Sequence, residues 1–450
     1  MVKPIVTPEE MRSIDAGATE STEVLVERAG WALAREALNM LGGAYGKRVA
    51  VFAGSGNNGA DGIAAAHFLS RAGVRCGVVR NDEDPSRLDR ADLVIDASVG
   101  TRLTRDFEPR STQDVPVLAA DIPSGVDGLT GEVRGSAVQA DRTVTFAALK
   151  PGLLLGEGPD HAGSVLLAGI GLDCSTASSH MVEDDDLVGQ WPDRARRANK
   201  WQTAVLLVGG SPGMSGALNL SSEAAARSGA GLVTVATPGR LAVGHREAIS
   251  VELPNEDWAR SVLELGQRFS SVVVGPGLSR SSEAIVELRR IVRIERPLLL
   301  DAGALVEDSE LKASLLARSI PAVLTPHDGE FRRMTGRLPG PDRIADTRSL
   351  ARQMGSVILL KGSPTIVAEP SGAVLVVTSG DQRLATAGSG DVLSGLIGAG
   401  LALGLEPFLA ASLAAHAHGK AARSAAPNTG LIASDLLPNL APVLAGATLA

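Results

Sequence analysis

The chain of 450 residues carries little aromatic mass, with Phe 7, Trp 4 and Tyr 1, or 3% in all. Ala, Val, Leu and Ile must therefore fill its cores. It has two cysteines, Cys76 and Cys174, which make no disulfide framework and no metal-ligand spacing. Idle thiols in a reducing compartment are expected. There is no basic excess. A net charge of -8 argues against a general nucleic-acid binder, which needs a basic face. No stretch approaches the ~18 apolar residues of a membrane span, and the opening MVKPIVTPEEMRSID has no apolar signal core. A cytoplasmic protein that engages neither nucleic acid nor membrane is expected. The signature G-x-x-x-x-G-K-[ST] is missing too, which excludes the P-loop class.

What is present in quantity is glycine, 51 residues, gathered at the ends of apolar runs as strand-to-loop-to-helix turns require. TPEEMRSIDAGATE reads as a helix start, with Thr7 capping, Pro8 in the first turn and Glu10 at the capping-box position. A second helix, TEVLVERAGWALAREALNML, ends at Gly42-Gly43. Short apolar strands then alternate with helical stretches: KRVAVFAG, the helical ADGIAAAHFLSRAG, VRCGVVR, ADLVIDA, VPVLAAD and DRTVTFAA. That is the pattern of a parallel sheet covered on both faces. Over 173–201 the texture changes to small polar residues, an acidic run at 183–186 and a basic cluster. A solvated linker is expected at 181–199, separating domains at 1–180 and 200–450. Alternation restarts at TAVLLVGG, continues through the hairpin TIVAEPSGAVLVVTSG, and ends in a long helix from GSGDVLSGLIGAGLALG. The expected class is α/β, with an N-terminal Rossmann-like three-layer domain and a second α/β domain in tandem.

Ligands of a doubly wound sheet bind beyond the carboxyl ends of its strands. Three strands of the first domain end in polar groups: RVAVFAG runs into Asn57, Asn58 and Asp61, DLVID ends at Asp96, and VLAAD ends at Asp121 before Ser124. Two carboxylates, an amide and a hydroxyl converging on one rim are hard oxygen donors for a cation. Gly54, Gly56 and Gly59 let a phosphate-bearing ligand approach a helix N-terminus. Singly, Asp61 also reads as a helix cap and Asp96 and Asp121 as turn formers.

GNNGADG, VIDASVGT and DIPSGVDG, with TPEEMRSID and ERAG, resemble the NAD(P)H-hydrate epimerase family over roughly the first 170 residues. The resemblance implies interconversion of the R and S forms of hydrated NADH and NADPH, with bound potassium. It implies substrate contacts from Asn57, Asn58, Gly59, Ala60 and Asp61, and from Gly100, Thr101, Arg102, Leu103, Thr104, Arg105 and Asp106. Potassium would lie on Asn58, Asp96 and Ser124, and Asp121 would meet the nicotinamide end as the candidate acid/base. The family usually has GNNGGDG; here Ala60 replaces a glycine, which matters only if that position needs a positive φ.

In the second domain, TAGSGDVLSG leads small residues into a helix whose first amides can bind phosphate. Asp391 stands at that helix start, able to take a proton from a substrate hydroxyl as phosphate arrives, or simply to cap the helix. GGSPGMSGA, SGAGLVTVATP, VVVGPGLS, LTPHDGEF, LLKGSPTIV and ATAGSGDVLSG resemble the ribokinase-like ADP-dependent NAD(P)H-hydrate dehydratases over about residues 200–440. The resemblance implies that Lys361, Gly362, Ser363, Pro364, Thr365 and Gly390 bind the adenine nucleotide, with Mg2+ on the ADP. Ala217, Gly277, His327 and Asp391 would line the hydrate site. The family often has HKG before its first strand, where this chain has NKW at 199–201. His416 and His418, two apart on one helix, share no face and are read as non-functional.

The combined expectation is a homo-oligomeric bifunctional enzyme that epimerises hydrated NAD(P)H and dehydrates the S form with ADP. Two alternatives stay open: a ribokinase-like small-molecule kinase fused to an accessory domain, and an amino domain that senses a ligand without catalysis.

Overall fold

The computed structural model describes residues 3–80, 90–101, 103, 105–112, 114–240, 244–425 and 429–446. The chain divides into two compact units, with the boundary between Ser179 and His180.

The amino unit opens with β1 (Lys3–Ile5), α1 (Pro8–Ala16) and α2 (Thr22–Leu41). α1 has the expected capping box: the Thr7 hydroxyl accepts from the Glu10 N–H at 3.1 Å, and the Glu10 carboxylate accepts from the Thr7 N–H at 2.7 Å. β2 (Arg48–Ala53), α3 (Asn57–Arg71), β3 (Arg75–Arg80), β4 (Leu93–Ala97), β5 (Val117–Ala120), β6 (Arg142–Phe146), α4 (Gly158–Ala162) and β7 (Ser164–Ala168) follow. The sheet is parallel in the order β3-β2-β4-β5-β6-β7. α2 and α3 cover one face, packing Leu33, Ala37 and Leu69 with Val51 and Ile95. The alternate residues Phe52, Val94 and Ala119 join Val138 in a smaller cluster. The chain leaves β2 for β3 and returns past β2 to β4. The strand order reverses there, which opens the ligand crevice of a Rossmann-like sheet at the carboxyl ends of β2 and β4.

The carboxyl unit starts with β8 (Ser179–Met181) and α5 (Asp184–Gln190). It continues through β9 (Ala204–Val208), α6 (Ser215–Arg227), β10 (Leu232–Pro238), β11 (Ile249–Leu253), α7 (Trp258–Gly266), β12 (Ser271–Val274), α8 (Ser282–Ile291), β13 (Leu298–Leu300), α9 (Ser309–Leu316), β14 (Val323–Leu324), α10 (Asp328–Thr335) and α11 (Arg343–Met354). The hairpin β15 (Val357–Leu360), β16 (Thr365–Ala368) and β17 (Val374–Val377) precedes α12 (Ser389–Ala402), α13 (Pro407–Ser424) and α14 (Leu437–Leu444). The strand order is β8-β17-β16-β15-β14-β13-β12-β9-β10-β11, parallel from β15 to β11 and antiparallel at β16 and β17. Val205, Leu207 and Val273 pack under α6, α12 and α13, and the alternate residues Leu206, Val208 and Val274 are equally buried. The sheet is therefore covered on both sides, as its continuous apolar runs require. The order reverses between β9 and β12.

The segment expected as a solvated linker at 181–199 belongs to this unit. Val182 and Leu187 lie in its main core. Trp191 Nε1 donates to the Ser228 carbonyl at 3.3 Å, and Arg194 Nε to the Gly229 carbonyl at 3.0 Å. The acidic run at 183–186 is the start of α5, with Glu183 as N-cap, where the helix dipole favours carboxylates. A helix this short buries one residue, Leu187, so it leaves no apolar period to read. Among the described residues no helix is long and apolar enough to cross a membrane.

Candidate functional site

At the amino rim α3 begins at Asn57, one turn earlier than expected. Asn57 and Asn58 thus occupy the first turn, whose N–H groups lack intrahelical partners, and Asp61 lies inside the helix instead of capping it. A Cβ on Gly59 would sit 1.9 Å from the Gly54 carbonyl oxygen, so only glycine lets this loop close on itself. Ala60 is ordinary helix, donating its N–H to the Gly56 carbonyl at 3.1 Å. Alanine there leaves the loop intact.

Asp96 and Ser124 are brought together at the end of β4, and Asn58 lies against Gly100 on the loop that follows it. The Ser124 hydroxyl donates to Asp96 Oδ1 at 2.8 Å, and the Ser124 N–H donates to Asp96 Oδ2 at 2.8 Å. The Ser98 N–H adds a bond at 3.2 Å, and Ser124 Oγ accepts from the Val99 N–H at 2.8 Å. Burial pushes the Asp96 carboxyl up against these hydrogen bonds. The Asn58 amide abuts Gly100, and both of its polar atoms are buried without a partner. An orphaned amide is costly unless something completes it. One carboxylate, one hydroxyl and an unpartnered amide oxygen fit a monovalent hard cation. Among the described residues no three His, Cys, Asp or Glu side chains gather into a metal cluster of the more charged kind.

Asp121 is tied elsewhere. Just past β5 it adopts φ 65°, a left-handed conformation uncommon outside glycine that often marks a functional constraint. Its Oδ1 accepts from Thr145 Oγ1 at 3.0 Å, from the Phe146 N–H at 3.3 Å and from Lys150 Nζ. Lys150, 2% exposed, also donates to the carbonyls of Phe146 at 2.9 Å and Ala148 at 3.1 Å. Asp61 is buried, and its carboxyl is pushed up to about 8, first by burial and then by Asp121, with Lys150 opposing. Sequence reasoning missed Lys150, which stands alone in AALKPG with no spacing signal. Of the expected 100–106 contacts, Gly100 and Thr101 adjoin the rim. Leu103 is buried, Arg105 and Asp106 are exposed, and Arg102 and Thr104 lie outside the described residues.

In the carboxyl unit Ala217, Gly277, His327, Lys361, Gly390 and Asp391 are linked through shared neighbours. Gly277 has φ 66°, and a Cβ on it would lie 3.3 Å from Ala217 Cβ. Ser221 Oγ lies 2.9 Å from the carbonyl oxygens of both Ala217 and Asp391. Asp391 is in the first turn of α12; burial raises its carboxyl to about 6, helped by Asp301 and opposed by Lys361. Lys361 Nζ lies 3.0 Å from Asp301 Oδ1 and 3.4 Å from Glu330 Oε2, and 3.6 Å from where a Cβ on Gly390 would stand. Thr325 and Ser394 each donate to Asp301 at 2.7 Å. Burial alone would raise Asp301; Lys361 and the two hydroxyls outweigh it and hold the carboxyl below its usual range. His327 caps α10, its Nδ1 accepting from the Gly329 N–H at 3.0 Å, while its backbone N–H donates to Glu330 Oε2 at 3.0 Å. Gly362 sits against Arg343, which pairs with Asp328 at 2.7 Å, and Thr365 opens β16. Asp301 was not foreseen: RPLLLDAG marks it only as a strand end.

Comparison with known proteins shows the family. The family model described as NAD(P)H-hydrate dehydratase matches residues 205–442, and the one described as YjeF-related protein N-terminus matches 22–89 and 76–152. The bifunctional NAD(P)H-hydrate repair enzyme of Mycobacterium leprae is 36% identical over 440 residues, covering 90% of each chain. The Escherichia coli enzyme of the same name is 31% identical over 434 residues, covering 87% of this chain and 84% of its own. Among solved structures, the ADP/ATP-dependent NAD(P)H-hydrate dehydratase of Bacillus subtilis co-crystallised with ATP/Mg2+ aligns with TM-score 0.51 and 27% identity, over 58% of this chain and 96% of that one. A ribokinase-like superfamily protein of Enterococcus faecalis shares the fold, with TM-score 0.51 and 23% identity over 60% of this chain and 97% of its own. The chain belongs to the bifunctional NAD(P)H-hydrate repair enzymes.

Proposed function

We propose that the amino unit interconverts the R and S epimers of hydrated NADH and NADPH, and that the carboxyl unit dehydrates the S form with ADP to give NAD(P)H, AMP and phosphate. The observation that carries this reading is the half-buried Asp391 carboxyl at the start of α12, poised near neutrality beside Lys361 and Gly390, in a chain whose relatives carry both activities in one polypeptide.

Hydration of a dihydronicotinamide places a hydroxyl on the carbon next to the ring nitrogen. Hydroxide leaves poorly. Asp391 takes the hydroxyl proton while the oxygen attacks the terminal phosphorus of ADP, the bridging P–O bond breaks, and AMP departs. The nitrogen lone pair then expels phosphate, loss of the neighbouring C–H proton restores the ring double bond, and NAD(P)H forms. The first-turn amides of α12 stabilise the transferring phosphoryl group, and residues 361–365 with Gly390 hold the nucleotide. Ala217, Gly277 and His327 line the hydrate pocket. Magnesium bound to the nucleotide phosphates would neutralise their charge. At the amino rim Asn58, Asp96 and Ser124 would hold potassium, which would supply positive charge beside the substrate, and Asp121 exchanges the proton that opens and recloses the carbon centre. The residues at 57–61 and 100–106 bind the substrate. The enzyme acts in the cytoplasm as a homo-oligomer, a point for fractionation and size-exclusion chromatography.

One experiment tests both halves. Hydrated NADH forms as an epimer mixture. Wild-type protein with excess ADP should return all of it to NADH, and Asp121→Ala should stall after a normal fast phase until separate wild-type amino unit is added. Phosphorylated product that persists without loss of phosphate would establish the small-molecule kinase instead. A wild-type protein that itself stalls would leave the amino unit a ligand sensor.

A further inference from the structure

The amino site holds a buried cation that neither the sequence motifs nor the potassium reading uses. Lys150 lies beneath the rim with four acceptors among the described residues: Asp121 Oδ1, Thr145 Oγ1 at 3.0 Å, and the Phe146 and Ala148 carbonyls. Burying an ammonium is expensive unless it is paired and hydrogen-bonded; here two carbonyls hold the ammonium in place and it meets one carboxylate. All hydrogen bonds to Asp121 converge on Oδ1; among the described residues none reaches Oδ2. Asp121 is thus clamped by one oxygen, in a left-handed backbone conformation, with the other oxygen presented. Across the same rim, on α3, is a second buried carboxyl, Asp61, 8% exposed, with no cation in bonding contact among the described residues.

We propose that Lys150 is a positioning residue that clamps Asp121 by one oxygen, so that Asp121 accepts a proton in epimerisation while Asp61 donates one. The proposal rests on the epimerase reading of the amino unit. Two carboxyls set in opposite protonation states by their surroundings are the usual means of running acid and base chemistry together. In the forward step Asp121 Oδ2 takes the proton of the substrate hydroxyl, the carbon–nitrogen bond breaks with its electron pair going to nitrogen, and Asp61 protonates that nitrogen as the carbonyl forms. Reclosure on the opposite face reverses both transfers and returns each carboxyl to its starting state. No oxidant or co-reactant is consumed. The charged groups acting on Asp61 are Asp121, Lys150 and Asp15 of α1; Cys174 lies in the field of Lys150 and Asp15 from the chain beyond β7.

The test is the pH profile of epimerisation in the full-length protein, with potassium present, read as the rate of R-hydrate consumption under saturating dehydratase and ADP. Wild type should show an alkaline limb near pH 8, where Asp61 ionises. Asp61→Asn should lose about 10²-fold or more in kcat and lose that limb, with KM within about threefold. Lys150→Met should lower kcat by a similar factor with KM within about threefold, because Asp121 Oδ1 loses the contact that fixes it, and Lys150→Arg should recover part of that loss. Thr145→Val, which keeps the ion pair, should lower kcat less than Lys150→Met does. If Asp61→Asn keeps both its rate and its alkaline limb, or if Lys150→Met only lowers the melting temperature with kcat unchanged, the division of labour is wrong. If wild type shows no epimerisation at all, the reading of the amino unit fails instead.

Discussion

Replacing Asp391 by Asn separates the chemistry of dehydration from the binding of its nucleotide. The phosphoryl cradle is made of backbone amides, which the substitution does not touch. The carboxylate that should receive the hydroxyl proton becomes an amide that cannot. Loss of general-base assistance costs about 10²–10⁴-fold in rate, or roughly 3–5 kcal/mol in the barrier. With the group pushed up to about 6, the ionised form outnumbers the protonated one by about ten to one at pH 7 and is the minority by about the same factor at pH 5. Wild-type kcat on the S hydrate with saturating ADP should therefore rise with pH through about 6 and then level off. The neighbours that set this limb act with opposite sign. Asp301 raises Asp391 and Lys361 lowers it, so Asp301→Asn should move the limb to lower pH and Lys361→Met to higher pH. The assay is recovery of the dihydronicotinamide absorbance across a pH series, with ADP affinity measured separately by calorimetry. Full turnover in Asp391→Asn, or limbs that move the same way in both neighbouring variants, would refute the assignment of the base.

Replacing potassium by a bulky organic cation should slow epimerisation and spare dehydration, and Asn58→Leu should abolish that response; equal rates in both salts would remove the cation from the rim. A carboxyl fragment beginning at residue 180 should melt higher than one beginning at 199, because the shorter piece loses the buried side chains of Val182 and Leu187, worth about 1.5–3 kcal/mol each; identical melting curves would return the segment to a linker. Asp61→Asn should raise the melting temperature of the amino unit at about pH 8 and not at about pH 4. Its folded value lies above the unfolded one, so the native state loses stability as pH rises from about 4 to 8, by roughly 2–5 kcal/mol. Parallel pH–melting curves for wild type and variant would contradict this.

Much of the fold was readable because parallel strands buried on both faces leave continuous apolar runs. β2, β4, β5, β6, β9 and β12 all lie where such runs stand, and the β16–β17 hairpin lies where its turn residues mark it. The edge strand β11, with its exposed pattern, carries too little apolar signal for the same reading. α5 and Trp191 were opaque because their partners lie far along the chain, Trp191 on Ser228 and Asp184 on His416 at 2.8 Å. The sites divide along the same line. Asn58, Asp96, Asp121 and Asp391 announce themselves by standing at strand or helix ends among glycines. Lys150 and Asp301 act from beneath, through hydrogen bonds to residues distant in sequence, and a single lysine or aspartate in an apolar context has no local signature. The ion pair of Lys361 with Asp301 and Glu330 likewise gives a residue of the nucleotide motif a structural duty that its motif does not express.

The closure of the β2–α3 loop predicts how this stretch of the gene can drift. Gly59 faces the Gly54 carbonyl and Gly54 faces the Ser98 carbonyl, where an added Cβ would stand 1.9 and 2.1 Å from the oxygen; each is blocked by main chain, which no rotamer change relieves. Ala60, next to them in an unstrained first helical turn, has no such wall. In a saturation library selected for hydrate repair, neighbouring codons should thus behave as opposites, 54 and 59 returning one amino acid and 60 returning several. A homologue that differs at 60 is a substitution the loop absorbs, and one that differs at 59 must have rebuilt the loop around it.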